Sequence, residues 1–77
     1  MKRYFFDLVE DETTLDEDGV LLIDGEAVRS HAIRTGCSIL QDLARERSQS
    51  GLSIRVRDEE GLEVHRMHFL CEIQEAA

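Results

Sequence analysis

At 77 residues the chain has room for one domain, spanning 1–77, and a domain of this size buries roughly 60% of the surface its unfolded form exposes, which leaves no space for a deep cleft. Hydrophobic residues make up 42%, charged residues 34%, and proline is absent, a profile of ordered chains rather than linkers. Seventeen acidic residues against nine basic ones give a formal charge of −8, which repels nucleic-acid phosphates and anionic membranes at long range.

The start, "MKRYFFDLVEDE", turns acidic without an apolar core of its own, so it does not read as a signal peptide, and a cytoplasmic protein is expected. Within it "RYFFDLV", residues 3 to 9, is aromatic enough for a strand, with Tyr4, Phe6 and Leu8 on one face and Phe5 and Asp7 on the other. "EDETTLDEDG", residues 10 to 19, carries six carboxylates and ends on Gly19, which suits a turn position of positive φ; a solvated, mildly self-repelling connection is expected. "VLLI", residues 20 to 23, reads as a second strand with Val20 and Leu22 on one face and Leu21 and Ile23 on the other; as the longest apolar run, it is far too short to span a membrane.

Asp24 is placed to cap a helix, and Glu26 puts negative charge in its first turn, where the helix dipole favours it. The helix should run to about Ser48, because Val28, Ala32, Ile33, Gly36, Ile39, Leu40 and Leu43 recur at helical spacing. Gly36 in mid-helix costs about 1 kcal/mol against alanine, and close approach of the backbone to a sheet would explain it. Gly51 is the expected stop before "LSIRVRDEEGLEV", where Leu52, Ile54 and Val56 alternate with Ser53, Arg55 and Arg57 ahead of a glycine-ended turn. That is a hairpin pairing Asp58 with Leu62 and Val56 with Val64. A bulge between Val64 and Met67 is then needed to return Met67, Phe69, Cys71 and Ile73 to the apolar face. The result is an α+β, two-layer ββαββ domain: a four-stranded antiparallel sheet, strand order 2-1-3-4, with one long helix on one face.

Chemistry-bearing residues are few. His65, His68 and Cys71 fall three residues apart, but strand alternation turns His68 away from the other two, so no shared metal ion is expected. Aligning Gly19 with the glycine of a calcium loop puts Thr14 first and Gly25 twelfth, where acidic ligands are required. Cys37 has His31 six positions back and about 240° around the helix, too far round to serve as its base. Both cysteines, Cys37 and Cys71, read as buried reduced thiols. No catalytic residue, cofactor or metal ligand is assigned, and an enzyme is not expected.

The informative surface is the sheet face opposite the helix. Phe5, Leu21, Ile23 and Leu70, with Val9, are too many large apolar groups for a solvated face; Arg55, Arg57 and His68 lie among them, with cross-strand pairing of Arg57 to Glu63 and the presence of Asp7 accounting for the arginines. The expectation is a non-enzymatic interaction or assembly module, a homo-oligomer (dimer) or the ligand of an unknown protein partner, by face packing or edge pairing. A nucleic-acid accessory protein using Arg55 and Arg57 is the first alternative and a thiol- or metal-dependent activity the second; nucleic acid is disfavoured by charge, and membranes are not expected.

Four stretches carry a resemblance: "RYFFD" (Arg3 to Asp7), "DEDG" (Asp16 to Gly19), "DGEAVR" (Asp24 to Arg29) and "VRDEEG" (Val56 to Gly61). In this order and spacing the chain resembles a family of short alphaproteobacterial proteins of rhizobial type, catalogued as a domain of unknown function. The chain departs from that pattern at Leu21 and Ile23, where relatives show a polar residue and proline, and at Gly36, Cys37 and Cys71. The resemblance implies a small intracellular bacterial protein of accessory or stress-related role and supplies no catalytic residues.

Overall fold

A computed structural model describes residues 1–76. The elements are β1 (Lys2–Val9), β2 (Thr13–Thr14), β3 (Val20–Leu22), α1 (Gly25–Ala44), β4 (Gln49–Arg57) and β5 (Glu63–Glu72). All strand pairs are antiparallel: β4 lies between β1 and β5, while β2 and β3 share the other edge of β1. The expected α+β architecture, with the helix on one sheet face, is present, but the sheet has five strands rather than four. The reason is hydrogen-bond satisfaction. β3 covers only Lys2–Tyr4, so the far end of β1 needs other partners, and Thr13–Thr14 supply them opposite Leu8 and Val9.

The helix-side core consists of Phe6, Val28, Ala32, Leu52, Ile54 and Val56, with Tyr4, Leu22, Leu43, Met67 and Phe69 packed against it. Asp24 caps α1 by accepting a hydrogen bond from the Ala27 N–H at 2.9 Å. The helix stops at Ala44, short of the expected Ser48, because Ser48 is already held alongside the chain leaving β5: its carbonyl accepts from the Ile73 N–H at 2.7 Å. Twenty helical residues span about 30 Å, the length of the nine-residue β4 beside them. Gly51 accordingly lies inside β4 rather than ending the helix. Gly36 meets the Phe69 ring, which a Cβ at that position would overlap, so the close approach is to a side chain of β5.

In the β4–β5 hairpin, the Asp58 N–H donates to Leu62 O at 2.9 Å and Gly61 takes φ 84°. The bulge comes earlier than expected. Arg57 stands opposite Glu63 and Val56 opposite His65, so Val64 is the extra residue and Val56 does not pair with it. A bulge beside the turn disrupts the ladder once, at its end, and leaves the rest of β5 in register, with Met67 opposite Ile54 and Phe69 opposite Leu52. Cys71 is half-buried on that side. Cys37 is exposed, against expectation, because 100° of helix rotation from Gly36 turns it off the sheet.

Candidate functional site

Strand alternation brings Phe5 and Asp7 of β1, Leu21 of β3, Ser53, Arg55 and Arg57 of β4, and Arg66, His68 and Leu70 of β5 to the sheet face away from α1. Its centre is Asp7, which is fully buried although no helix covers this side. Arg57 binds it with two parallel hydrogen bonds, Nε to Oδ2 at 2.6 Å and Nη2 to Oδ1 at 3.0 Å. Arg55 adds Nη2 and Nε contacts to Oδ2 at 3.0 and 3.1 Å. The backbone N–H of Asp16 donates to Oδ1 at 3.0 Å.

Asp16 is the residue the sequence reading missed. Far from belonging to a solvated turn, it clasps the connection onto the sheet. Its Oδ2 accepts from the Phe6 N–H at 3.0 Å, replacing a ladder bond where β1 lacks a neighbouring strand. Its Oδ1 accepts from the N–H groups of Asp18 and Gly19, both at 3.1 Å. Gly19, at φ 71°, then lies so close to Phe5 and Arg3 that a Cβ would sit 2.9 Å from each. The D-x-x-G spacing of an Asx turn was the available signal; that the turn folds back over the sheet was not encoded in the spacing.

The electrostatics close on themselves. For Asp7, burial pushes the carboxyl upward, but the hydrogen bonds from Arg57, Asp16 N–H and Arg55 more than offset it and hold the group below its ordinary value. Burial also raises Asp16, and the N–H groups of Phe6, Gly19 and Asp18 outweigh this and the nearby Asp7 charge, so it too is lowered. The paired Asp7 in turn raises Arg57. The expected Arg57–Glu63 pairing is not formed: Arg57 turns to Asp7, and Glu63 binds Arg66 at 2.7 Å.

The remaining candidates are dispersed. Phe5 is half-buried, beneath the Arg57 guanidinium at 5.0 Å and against Gly19, so it is not the bare apolar group the sequence suggested. His68 Nδ1 lies 2.6 Å from Ser53 Oγ. Leu70, opposite Gly51 and so without a side chain across from it, is 84% exposed; Ile23 and Leu21 on the far margin are 72% and 50% exposed. His65 faces the helix side and His68 the other, so the β5 histidines are not brought together. Among the described residues no group of three or more His, Cys, Asp or Glu could hold a metal ion, and no helix is long and apolar enough to cross a membrane.

Fold and site together define a two-layer α+β domain whose open sheet face is closed at its centre by a neutralised carboxylate cluster. The chain belongs to the family described as Domain of unknown function (DUF6894), which matches residues 3–70. Comparison with curated proteins and with solved structures finds no match.

Proposed function

We propose that this chain is a non-enzymatic assembly module that associates with a second copy of itself or with a protein partner. The observation that carries the reading is the large apolar side chains left facing water at the two margins of the sheet, Leu70 on β5, Leu21 on β3 and Ile23 just after it, in a domain too small to recruit more core of its own. The outer face supports it from the other direction: Arg55 and Arg57 are committed to Asp7, which weighs against both phosphate binding and proton transfer at this cluster. Size-exclusion chromatography with light scattering from micromolar to millimolar protein is the direct test, with twice the chain mass expected. A chain of single mass throughout, retaining no partner when immobilised against extract of its native host, refutes the reading.

A further inference from the structure

Among the described residues β5 is the one long strand with an open edge; on the opposite side of the sheet β1 is covered by the short β2 and β3. The direction of its backbone groups follows from one contact. The Ile73 N–H donates to Ser48 O, so by antiparallel alternation Met67, Phe69 and Cys71 turn their N–H and C=O groups toward β4, whereas Arg66, His68, Leu70 and Glu72 turn theirs outward. Resting on the assembly reading above, we propose that the occupant of this edge is a second copy of β5, paired antiparallel about a two-fold axis through Phe69.

The register is set by charge. Arg66 and Glu72 lie three residues on either side of Phe69, so the dyad sets each Arg66 opposite the other copy's Glu72 and each His68 opposite the other copy's Leu70. All four are outward-facing residues, as ladder bonding requires. On the helix side the same register places Phe69 against its mate and Met67 against Cys71. Sliding by two residues either way loses both ion pairs, and sliding by one turns the faces over. Charged residues on an open edge ordinarily block pairing; here their symmetric placement makes the edge complementary to itself. Arg66 holds Glu63 within its own chain by a half-exposed pair, which is exchangeable.

Charge also selects this edge over the other. Residues 10 to 18 beside β1 contain six carboxylates and no basic residue, so pairing there would set two such runs against each other. α1 and β5 together hold four carboxylates (Glu26, Asp42, Glu63, Glu72) and three arginines (Arg29, Arg34, Arg66). The helix supplies an independent match. α1 rides over β4 and β5, so extending the sheet by a second β5 about 4.8 Å away sets the two helix axes about 10 Å apart, the upper end of ordinary helix packing. On this flank of α1, Arg29 and Ile33, the latter 42% exposed, line a groove with Met67 and Phe69, and Cys37, Leu40 and Ala44 follow Ile33 along the helix. Their 4-3-4 spacing is that of a helix–helix seam.

The experiment measures the dimer dissociation constant of the full chain by sedimentation, with circular dichroism confirming the fold of each variant. Arg66→Glu sets like charges together twice and should weaken association about tenfold or more. Arg66→Glu combined with Glu72→Arg should restore it, a recovery that a merely misfolded variant would not give. His68→Pro, which removes one outward N–H, and Ile33→Glu should also weaken the dimer, while Leu21→Glu on the opposite margin should not. A dimer that tolerates Arg66→Glu, His68→Pro and Ile33→Glu but is lost on Leu21→Glu overturns the β5 edge and leaves self-association standing. A wild-type chain that never dimerises overturns the β5 pairing together with self-association, leaving only an outside partner.

Discussion

Replacing Asp7 by asparagine tests the centre of the outer face with almost no change in shape. The substitution removes the charge that orients Arg57 and Arg55 and puts an amide N–H2 where one of the guanidinium-facing oxygens stood. Disrupting a buried ion pair from one side costs about 3–5 kcal/mol when the stranded charges stay dry. Here the two arginine side chains are 27% and 26% exposed and can recover water, so the expected loss is at the lower end, about 3 kcal/mol. A chain of this length has roughly 4–12 kcal/mol of total stability, and the melting temperature should fall by about 15 °C. The pH dependence gives a second readout. Asp7 is held below its ordinary value of 3.8, so its contribution is fully present above that pH and is lost as pH falls through the lower folded-state value. The gap between wild type and Asp7→Asn in urea titrations followed by circular dichroism should therefore be widest near neutrality and close in acid. A variant within about 0.5 kcal/mol of wild type at pH 7, or a gap that widens in acid, would show that the cluster does not hold this face together.

Three further substitutions test the packing that positions the face. Gly36→Ala gains helix propensity but drives a methyl into the Phe69 ring, and a net loss of about 1–2 kcal/mol is expected, relieved by adding Phe69→Leu; thermal melts of both variants decide it. Gly19→Ala forces a side chain into positive φ and against Phe5 and Arg3, so a loss of about 2 kcal/mol is expected in the same assay; unchanged stability would mean the clasp is not closed in solution. Asp24→Ala removes the cap from α1 and should cost about 1 kcal/mol, with Asp24→Ser recovering most of it.

The helix and the hairpin were legible because each rests on a local signal: the stripe from Val28 to Leu43, the Asp24 cap, the alternation from Leu52 to Arg57, and glycines at the two positive-φ positions. What was not legible depended on contacts distant in sequence. Thr13–Thr14 became a strand only because β3 is too short to cover β1. The bulge site depended on which residue next to the turn could be sacrificed, and periodicity placed it only to within a few residues. Which side chains share the outer face was read correctly, but not how its middle is filled. Alternation correctly put Phe5, Asp7, Arg55 and Arg57 on one face, yet nothing local revealed that Asp16 would fold over them, bury Asp7 and cover Phe5.

The buried Asp7 cluster bears on how the protein could associate. A one-helix sheet can keep its second face from presenting apolar area to water either by taking on another layer or by filling the face with polar groups and its own loop. The second solution is the one present, and the apolar groups that remain, Leu21 on β3 with Ile23 just after it and Leu70 on β5, lie on margins three strand spacings apart, about 14 Å, with the Asp7 cluster between them. Stacking two such faces would strip the remaining water from Arg55, Arg57 and Asp16 to join two separated patches, a poor exchange because removing ions from water costs more than their mutual attraction returns. Edge pairing at β5 leaves the cluster untouched. Arg55→Ala therefore separates the two geometries: it should lower the melting temperature through Asp7 while leaving the dimer dissociation constant within a factor of about two, as expected for independent sites. Loss of association in parallel with the loss of the Arg55–Asp7 contact, in protein still folded at the temperature of measurement, would mean that the copies meet across the open face.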